Sequence, residues 1–292
     1  MDIGIRSVFG SSRHRNGAFI RDYAVAAEEI GFASLWAPEH VVFFSSYESK
    51  YPYTQDGSLH FSTDSGLYDP LMVCQAAAAA TTHLRVATSV LIATERHPLL
   101  TAKQVMTLDH LTEGRFELGV GSGWSTEEYA ALDVPFERRG KRLDEYIGAM
   151  KAAWLTSPSE FHGEFVDFTD VMLLPKPLTE PHPPILVGGM SKAAMVRAAR
   201  LADGWYGWWT DDVDLESIVT RLREILDEEG RSNDSLFKIK LGRPPRDETP
   251  DVYSKRVEQA RSLGVQEFVV GAPISSRNFE PDLRLWASAA GL

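Results

Sequence analysis

Two histidines in this sequence come a few residues after short apolar runs, where they could do proton chemistry. His40 comes after Glu39, and His97 precedes Pro98. Histidine has an unperturbed pKa near physiological pH, so His40 could exchange a proton with a reacting group, and Glu39 could orient or charge the imidazole. The alternative is a histidine satisfied by backbone groups at a strand end. His97 is a further candidate, although Pro98 explains the turn there without any chemistry.

Two glycine clusters indicate places where a phosphate or a flat ring can approach the backbone. The first is GVGSGW at 119–124, with Gly121, Gly123 and Trp124. As a dinucleotide fingerprint it is weak, because its spacing is GxGxG and no acidic residue ends the next strand. The second cluster opens a helical pattern, where backbone N–H groups favour a phosphate; it consists of Gly188, Gly189, Met190 and Ser191. Close packing is the alternative reason for these glycines.

Strand and helix patterns alternate along the chain, and they must position these residues. The predicted strands are residues 3–5, 34–37, 85–91, 115–121, 184–188, 204–209, 237–242 and 267–271. The predicted helices are residues 17–30, 69–81, 99–111, 137–155, 192–201, 215–229, 250–263 and 281–290. The 292 residues allow two domains or one barrel. About eight units without a linker favour an α/β fold of one (β/α)8 TIM barrel over residues 1–292.

Two segments interrupt this alternation. Residues 41–67 follow the second strand, on the side where barrel enzymes place their active sites. We expect them to cover a substrate, with Tyr51, Tyr53 and His97 as substrate-binding residues; a mobile surface insert is the alternative. Residues 160–177 alternate in hydrophobicity around Gly163, which predicts a hairpin before the fifth strand. We expect that hairpin to pack on the barrel exterior or on a partner subunit.

Composition and charge exclude several classes of protein. Asp and Glu outnumber Lys and Arg by 41 to 30, and no basic block is present, so we expect no nucleic-acid partner. No apolar run reaches the roughly 20 residues of a membrane span. The eight histidines lack metal-ligand spacing, so we predict no metal site. The N-terminus lacks a secretory pattern, which favours a cytoplasmic protein, and Cys74 is expected to be a buried structural thiol.

Longer motifs resemble the luciferase-like flavin and deazaflavin oxidoreductases. They are RFELGVGSGW at 115–124, PFERRGKRLDEY at 135–146 and LLPKPLTEPHPPILVGGMSKAAMVRAARLADGW at 173–205, with looser matches in WAPEHV at 36–41 and YPY at 51–53. The sequence looks most similar to the branch described as coenzyme F420-dependent oxidoreductases. The resemblance implies a TIM barrel with insertions and either coenzyme F420 or FMN as the cofactor. We also expect a homodimer that acts on a small-molecule substrate.

The resemblance further implies roles for single residues. A non-proline cis peptide is expected between Ser89 and Val90, where the cofactor ring packs. His40 matches an active-site histidine of deazaflavin-dependent dehydrogenases, and the second glycine cluster matches the region that binds the cofactor phosphate. The sugar-phosphate dehydrogenases of the family carry a catalytic glutamate where this chain has Trp124, so their substrate and acid–base pair do not transfer.

The leading hypothesis is therefore hydride transfer between a reduced deazaflavin and a small organic substrate, with His40 as proton donor or acceptor. An FMNH2-dependent monooxygenase that uses O2 is the second. A non-catalytic flavin-binding protein is the third, which His40 and the long loop disfavour. Lys176, Lys192 and Arg197 are candidates for a basic groove along the cofactor tail. Three further arginines either reach anionic groups of the cofactor or form surface pairs: Arg138, Arg139 and Arg142.

Overall fold

A closed barrel of eight parallel strands forms the centre of the computed structural model, which describes residues 1–10, 16–59, 66–232, 234–244, 248–271 and 278–292. In chain order the strands are β1 (Asp2–Arg6), β2 (Ser34–Ala37), β3 (Arg85–Thr88), β4 (Leu91–Ile92), β5 (Phe116–Gly121), β6 (Ser159–His162), β7 (Asp167–Val171), β8 (Ile185–Gly188), β9 (Gly204–Trp208), β10 (Lys238–Arg243) and β11 (Glu267–Val270). The helices are α1 (Gly17–Ile30), α2 (Pro70–Ala78), α3 (Pro98–Leu111), α4 (Thr126–Ala131), α5 (Arg139–Leu155), α6 (Lys192–Leu201), α7 (Leu215–Glu228), α8 (Pro250–Ser262) and α9 (Phe279–Ala290).

The order of strands around the barrel follows the chain. β1 pairs with β2 and β11, β3 pairs with β2 and β5, and the series continues through β8, β9 and β10. The predicted third strand is divided into β3 and β4, which both pair with β5. The predicted TIM barrel is thus confirmed. In this order β1 and β8 are four places apart, so their ends face each other across the barrel mouth.

Local sequence explains where the helices begin and end. The Asn16 side chain accepts a hydrogen bond from the N–H of Phe19 at the start of α1, and Gly31 ends that helix with φ +108°. Asp69 caps α2 ahead of Pro70, whose missing N–H costs nothing in the first turn. The six-residue α4 and a single 3-10 turn at Ala93–Glu95 were not predicted, because segments this short show no helical periodicity.

The barrel interior has an apolar layer and a charged layer. Trp36, Ala87, Leu186, Tyr206 and Val269 form the apolar layer. The charged layer lies in the N-terminal halves of the strands. There Lys240 Nζ binds Glu117 and lies 2.7 Å from Glu267 Oε2, and Arg85 Nη2 lies 3.0 Å from the same Glu267 oxygen. Burial alone would lower the pKa of Lys240, but the two carboxylates raise it. These ion pairs fill the end of the barrel opposite its mouth.

Both predicted insertions are present. β6 and β7 form the antiparallel hairpin before β8, outside the barrel. The hairpin packs on α5: a Cβ placed on Gly148 of that helix would lie 2.9 Å from the Phe161 ring. The N–H of Phe165 also donates to Glu145 Oε2 at 2.7 Å. The second insertion, after β2, covers the barrel mouth.

The structure can be compared with the expectations about a membrane, a metal ion and Cys74. No helix in the described part of the chain is long and apolar enough to cross a bilayer. Within those same residues no group of three His, Cys, Asp or Glu side chains could hold a metal ion. Cys74 is fully buried, as predicted, and burial raises the pKa of its thiol well above the usual range.

Candidate active site

A cavity of about 700 Å³ opens at the C-terminal ends of the barrel strands, the usual place for the active site of such a barrel. Its walls bring together residues from β1, β4, β5, β8 and β9 and from the segment after β2. The predicted site residues that line it are Glu39, His40, Tyr51, Tyr53, Ser89, Val90, Gly121, Gly123, Trp124, Gly188, Gly189, Met190 and Ser191. Residues more than a hundred positions apart in the chain therefore share one cavity.

His97 does not line this cavity. It is exposed, and its Nδ1 accepts a hydrogen bond from the N–H of Leu99 at 3.2 Å, which makes it the N-cap of α3. Pro98 follows it in the first turn of the helix. The position of His97 is thus explained by helix capping, and the structure does not bring it together with the other predicted substrate-binding residues, Tyr51 and Tyr53.

The imidazole of His40 is held by a carboxylate from another element. Its Nδ1 lies 2.9 Å from Oε2 of Glu128 on α4, and Glu128 is only 1% exposed. A carboxylate accepts hydrogen bonds, so Nδ1 carries the proton in this pair and Nε2 is the nitrogen left for a reacting group. Glu128 also stabilises the imidazolium when both nitrogens are protonated. The pair has the arrangement of a general acid–base with an orienting carboxylate.

Glu39 does not have the role that its place beside His40 predicted. Its Oε2 accepts the N–H of Ile92 at 2.5 Å, and its Oε1 pairs with Arg96. Burial is the main reason that the pKa of Glu39 is raised, against the lowering effect of Arg96. Glu39 thus holds the turn after β4, and the carboxylate that orients His40 is Glu128.

Sequence reasoning missed Glu128 because its visible pattern has a different explanation. Ser125 and Glu128 have capping-box spacing, and Ser125 Oγ does accept the N–H of Glu128 at 3.1 Å. The Glu128 side chain, however, turns to His40, which is 88 positions away. That partnership depends on the adjacent placement of the β2 and β5 loops at the barrel mouth.

A third buried carboxyl, that of Glu95, lies close to Glu128 and Glu39. Glu95 is 8% exposed, and neither of its oxygens has a hydrogen-bond partner in the residues that the structure describes. Burial, followed by the charges of Glu128 and Glu39, raises the pKa of Glu95 to about 9. Glu95 is therefore a neutral acid at neutral pH, so it does not add a third negative charge beside His40.

We expect Glu95→Gln to reduce the stability that the protein loses as the pH rises above about 5. Wild-type Glu95 keeps its proton when folded and loses it when unfolded, so stability falls as the pH rises from its unfolded pKa toward 9. Glutamine is neutral throughout. The variant's advantage in unfolding free energy should grow with pH by up to ~1.4 kcal/mol per unit. Urea denaturation at pH 5, 6.5 and 8 measures it, and parallel stability curves for the two proteins would contradict this assignment.

Aromatic side chains surround Trp124 on one wall of the cavity. The Trp124 ring lies 5.3 Å from the ring of Tyr47, 5.3 Å from that of Tyr51 and 5.7 Å from that of His40. Tyr53 packs edge-on against Tyr51 at 5.5 Å, and burial raises the pKa of its phenol. This wall excludes water from the side of the cavity where His40 lies.

The loop after β2 is tied to the N-terminal turn of α4. Glu127 Oε1 accepts the N–H groups of Glu48 and Ser49, at 2.6 and 3.0 Å. Glu128 Oε1 accepts those of Val41 and Val42, at 2.5 and 3.3 Å. Two adjacent carboxylates thus hold the segment that carries the tyrosines over the cavity. Residues 60–65 of the insertion, with Phe61, lie outside the described residues.

We expect Glu127→Gln to loosen this loop. Burial alone would raise the pKa of Glu127, but hydrogen bonds from Ser49 and Ser125 lower it to about 2. The charged carboxylate therefore stabilises the loop fully above about pH 5. This stabilisation is lost only as the pH falls toward 2. The neutral amide should bind the two N–H groups less strongly. Trypsin cleavage after the exposed Lys50 should become several-fold faster at neutral pH.

The exposed Glu137 offers a matched control for that experiment, because Glu137→Gln removes the same charge away from the loop. Its digestion rate should equal that of the wild type. Equal rates for Glu127→Gln and the wild type would show that Glu127 does not hold the loop.

The glycines of β5 and β8 make room for the Val90 side chain. The peptide bond between Ser89 and Val90 is cis, as the resemblance implied. A Cβ placed on Gly121 would lie 2.7 Å from Val90 Cγ2, and one on Gly188 would lie 2.7 Å from Val90 Cγ1. Val90 also lines the cavity. By leaving space for its side chain, these glycines determine where this apolar part of the cavity wall lies.

We expect Gly188→Ala to cost about 1–3 kcal/mol of stability, the usual effect of adding a methyl group to a packed site. The stiff side chain of Val90 would have to move. Shortening it in the double variant Gly188→Ala/Val90→Ala should recover part of the loss. Denaturant titration of the three proteins measures these effects, and additive losses would show that Val90 is not the residue that opposes the new methyl group.

Positive groups surround the second glycine cluster. Gly189 has φ +123°, and Ser191 caps α6 by accepting the N–H of Ala194 at 3.2 Å. Ser191, Ala193 and Ala194 line the cavity, so the N-terminal turn of α6 faces it. Arg139 and Arg197 line it as well. A helix N-terminus that faces a cavity also lined by two guanidinium groups suits a phosphate.

Four of the predicted basic residues do not line the cavity, in contrast to Arg139 and Arg197. Lys176 Nζ donates to the carbonyl of Ala153 at 2.7 Å, and Lys192 is absent from the lining. Arg138 pairs with Glu164 on the surface, and Arg142 is buried, donating to the carbonyl of Pro135 at 2.5 Å. Of the three arginines in RRGKR, one therefore faces the site and two are structural.

Fold and site together define an enzyme of the luciferase-like barrel type. A model of the luciferase-like monooxygenase family matches residues 1–270, and the chain belongs to that family. An uncharacterised protein of Mycobacterium tuberculosis is 37% identical over 249 residues, which cover 85% of this chain and 84% of the relative. An FMNH2-dependent dimethylsulfone monooxygenase of Pseudomonas fluorescens is 29% identical over 279 residues, 92% of this chain and 70% of that protein.

Solved structures with the same fold include a monooxygenase and an F420-dependent dehydrogenase. A monooxygenase from Streptomyces bottropensis superposes with a TM-score of 0.78 at 19% identity, covering 99% of this chain and 98% of that one. An F420-dependent secondary alcohol dehydrogenase, in complex with an F420–acetone adduct, superposes with a TM-score of 0.76 at 16% identity and the same coverage. At these identities the likeness concerns the fold alone.

Proposed function

We propose that this protein is a coenzyme F420-dependent oxidoreductase that transfers a hydride between the reduced deazaflavin and a small organic substrate. The observation that carries the proposal is the His40–Glu128 pair on the wall of a 700 Å³ cavity that also contains the N-terminal turn of α6. The pair offers a proton at one side of the cavity, and the helix offers an anion site.

The residues of the cavity fit a phosphorylated flavin-type cofactor. Gly188 to Ser191 and the first turn of α6 would hold its phosphate, with Arg139 and Arg197 adding positive charge. Ser89 and Val90 would form the surface against which its ring lies. The deazaflavin, when bound, supplies the hydride.

The protein supplies the proton and the surroundings. Hydride addition to a polar double bond places negative charge on the substrate atom that needs a proton, and His40 can donate it from Nε2 while Glu128 holds Nδ1. In the reverse direction Nε2 accepts that proton. The Tyr51, Tyr53 and Trp124 wall limits the access of water to this exchange.

An FMNH2-dependent monooxygenase is the second candidate, favoured by sequence comparison. An FMNH2-dependent dimethylsulfone monooxygenase of Pseudomonas putida is 37% identical over 161 residues, 54% of this chain and 43% of that enzyme. The same phosphate site and closed aromatic wall would suit FMN and a reaction with O2.

Titration of the purified protein with coenzyme F420 and, separately, with FMN tests the proposal. We expect F420 to quench the tryptophan fluorescence in a saturable way. The affinity for F420 obtained from that titration should fall by about 10-fold in Arg139→Met, the usual contribution of a charge-assisted hydrogen bond. Tight FMN binding without measurable F420 binding would overturn the proposal in favour of the monooxygenase.

The proposal also includes a cytoplasmic homodimer. Three exposed apolar side chains in and after the hairpin support an interface there: Met172, Leu174 and Leu178. Light scattering should give twice the chain mass of 32.5 kDa, and a single-chain mass at micromolar concentration would refute the dimer.

A further inference from the structure

Arg6 places a positive charge inside the cavity, at the C-terminal end of β1. Its guanidinium lies over the Trp208 ring at 4.8 Å, and its Nε donates to Ser89 Oγ at 3.2 Å. Within the described residues no carboxylate lies at ion-pair distance from Arg6. By contrast, Arg96 pairs with Glu39, and Arg197 pairs with Asp144. A guanidinium in a half-buried site without a counter-ion favours an anionic ligand.

Tyr206 adds an independent donor at the same place. Tyr206 lines the cavity and is 4% exposed, and its hydroxyl lies beside the Ser89 side chain and the positive charge of Arg6. Its ring is stacked on Trp36 with centroids 4.8 Å apart, which holds the hydroxyl in position. Gly242 provides the space, because a Cβ there would collide with this oxygen. Burial raises the pKa of Tyr206 despite the nearby charge of Arg6, so the phenol keeps its proton.

Arg6 is separate from the phosphate site. It ends β1, and the second glycine cluster follows β8 on the opposite side of the barrel. Tyr206 on β9 is the neighbour of Gly188 in the sheet, so its hydroxyl lies between Arg6 and the glycine cluster. The apolar surface beside them comes from Trp208 and Tyr53, both in the lining.

We propose that Arg6, which donates to Ser89 between β3 and β4, and Tyr206 bind a carboxylate of the substrate, and that the substrate class is therefore small organic acids with an apolar body. This inference rests on the proposed function, because it assigns the α6 site to the cofactor. The guanidinium presents paired N–H donors that match the two oxygens of a carboxylate, and the phenol donates a further hydrogen bond. Trp208 and Tyr53 then contact the apolar body.

The test measures binding of benzoate and its neutral isostere benzamide to the protein saturated with F420, by calorimetry. We expect benzoate to bind at least about 10-fold more tightly than benzamide. Arg6→Met should remove that preference, reducing benzoate affinity by about 10-fold to 100-fold, and Arg6→Lys should keep part of it. Tyr206→Phe should reduce benzoate affinity by a smaller factor. F420 affinity should stay within two-fold of the wild type in the Arg6 and Tyr206 variants.

Three outcomes overturn or separate the two proposals. Equal affinity for benzoate and benzamide would overturn the carboxylate site while F420 binding leaves the proposed function standing. Weaker F420 binding by Arg6→Met, with benzoate preference intact, would show that Arg6 contacts the cofactor and would also overturn the inference. Failure of the wild type to bind F420 refutes the proposed function itself, and the same titration repeated with FMN then tests the carboxylate site independently. Thermal melting of each variant confirms that it is folded.

Discussion

Replacing His40 by alanine is expected to lower kcat/KM by about 10²-fold to 10⁴-fold, the usual contribution of a positioned general acid–base. The variant lacks the nitrogen that exchanges a proton with the substrate, whereas the phosphate site at α6 is untouched. Cofactor affinity should therefore change by no more than a few-fold. Steady-state kinetics with a substrate found among small organic acids, together with cofactor titration, measure the two effects separately.

Two further variants sharpen this expectation. Glu128→Gln keeps an acceptor for His40 Nδ1 but removes the negative charge that stabilises the imidazolium. We expect a smaller loss of kcat than for His40→Ala, with cofactor affinity within a few-fold of the wild type, which general loss of the fold would not produce. His97→Ala, outside the cavity, should retain wild-type turnover. Full turnover by His40→Ala would refute its proton-transfer role.

The largest stability effect is expected for Lys240→Met, at about 3–5 kcal/mol, the usual cost of removing one partner from a buried ion pair. Lys240 is 5% exposed, and its ammonium faces Glu117 and Glu267. Methionine preserves the volume but leaves the two carboxylates with Arg85 as their remaining cation. Denaturant unfolding at pH 7 measures the change.

The stability lost in Lys240→Met is expected to decrease as the pH falls. Burial alone would raise the pKa of Glu267, but Lys240 and Arg85 lower it. Its contribution is therefore complete above the pKa of an unfolded glutamate and disappears as the pH falls through the lower folded value. The difference between wild type and Lys240→Met should thus narrow in acid.

Matched variants on the same strand and in the same network control this experiment. Lys238→Met replaces an exposed lysine of β10 and should stay within about 0.5 kcal/mol of the wild type. Lys240→Met/Glu267→Gln removes one unpaired charge and should recover part of the loss. A cost for Lys240→Met no larger than for Lys238→Met would show that the charged layer does not stabilise the barrel.

The strand–helix alternation of the sequence was sufficient to predict the barrel and both insertions, because hydrophobic periodicity is a local property. The β8 end and α6, for example, follow from the run PILVGGMS and the helical pattern after it. Only the family resemblance indicated the cis bond at Ser89–Val90, since residue types alone do not reveal it.

The partners of the site residues were decided by the tertiary structure. Glu39, adjacent to His40 in sequence, binds Arg96 and Ile92, whereas Glu128 reaches His40 across 88 positions. Glu39 and His40 follow the end of β2, and their side chains reach different elements of the barrel mouth, so neighbours in sequence do not share surroundings. Closure of the barrel brings the ends of distant strands together, and that placement selects which carboxylate meets the imidazole.

The same distinction holds for Arg6 and for the glycines. Nothing in GIRSVFG indicates that Arg6 reaches Ser89 and Trp208, which belong to the third and sixth strands of the barrel. Gly121 and Gly188 were visible as a motif, but the side chain that requires them, Val90, became evident only from packing. The sequence by itself determined the architecture and which strand ends carry chemistry. The tertiary structure decided the pairings, because hydrogen bonds and close contacts depend on distances that strand register and barrel closure set.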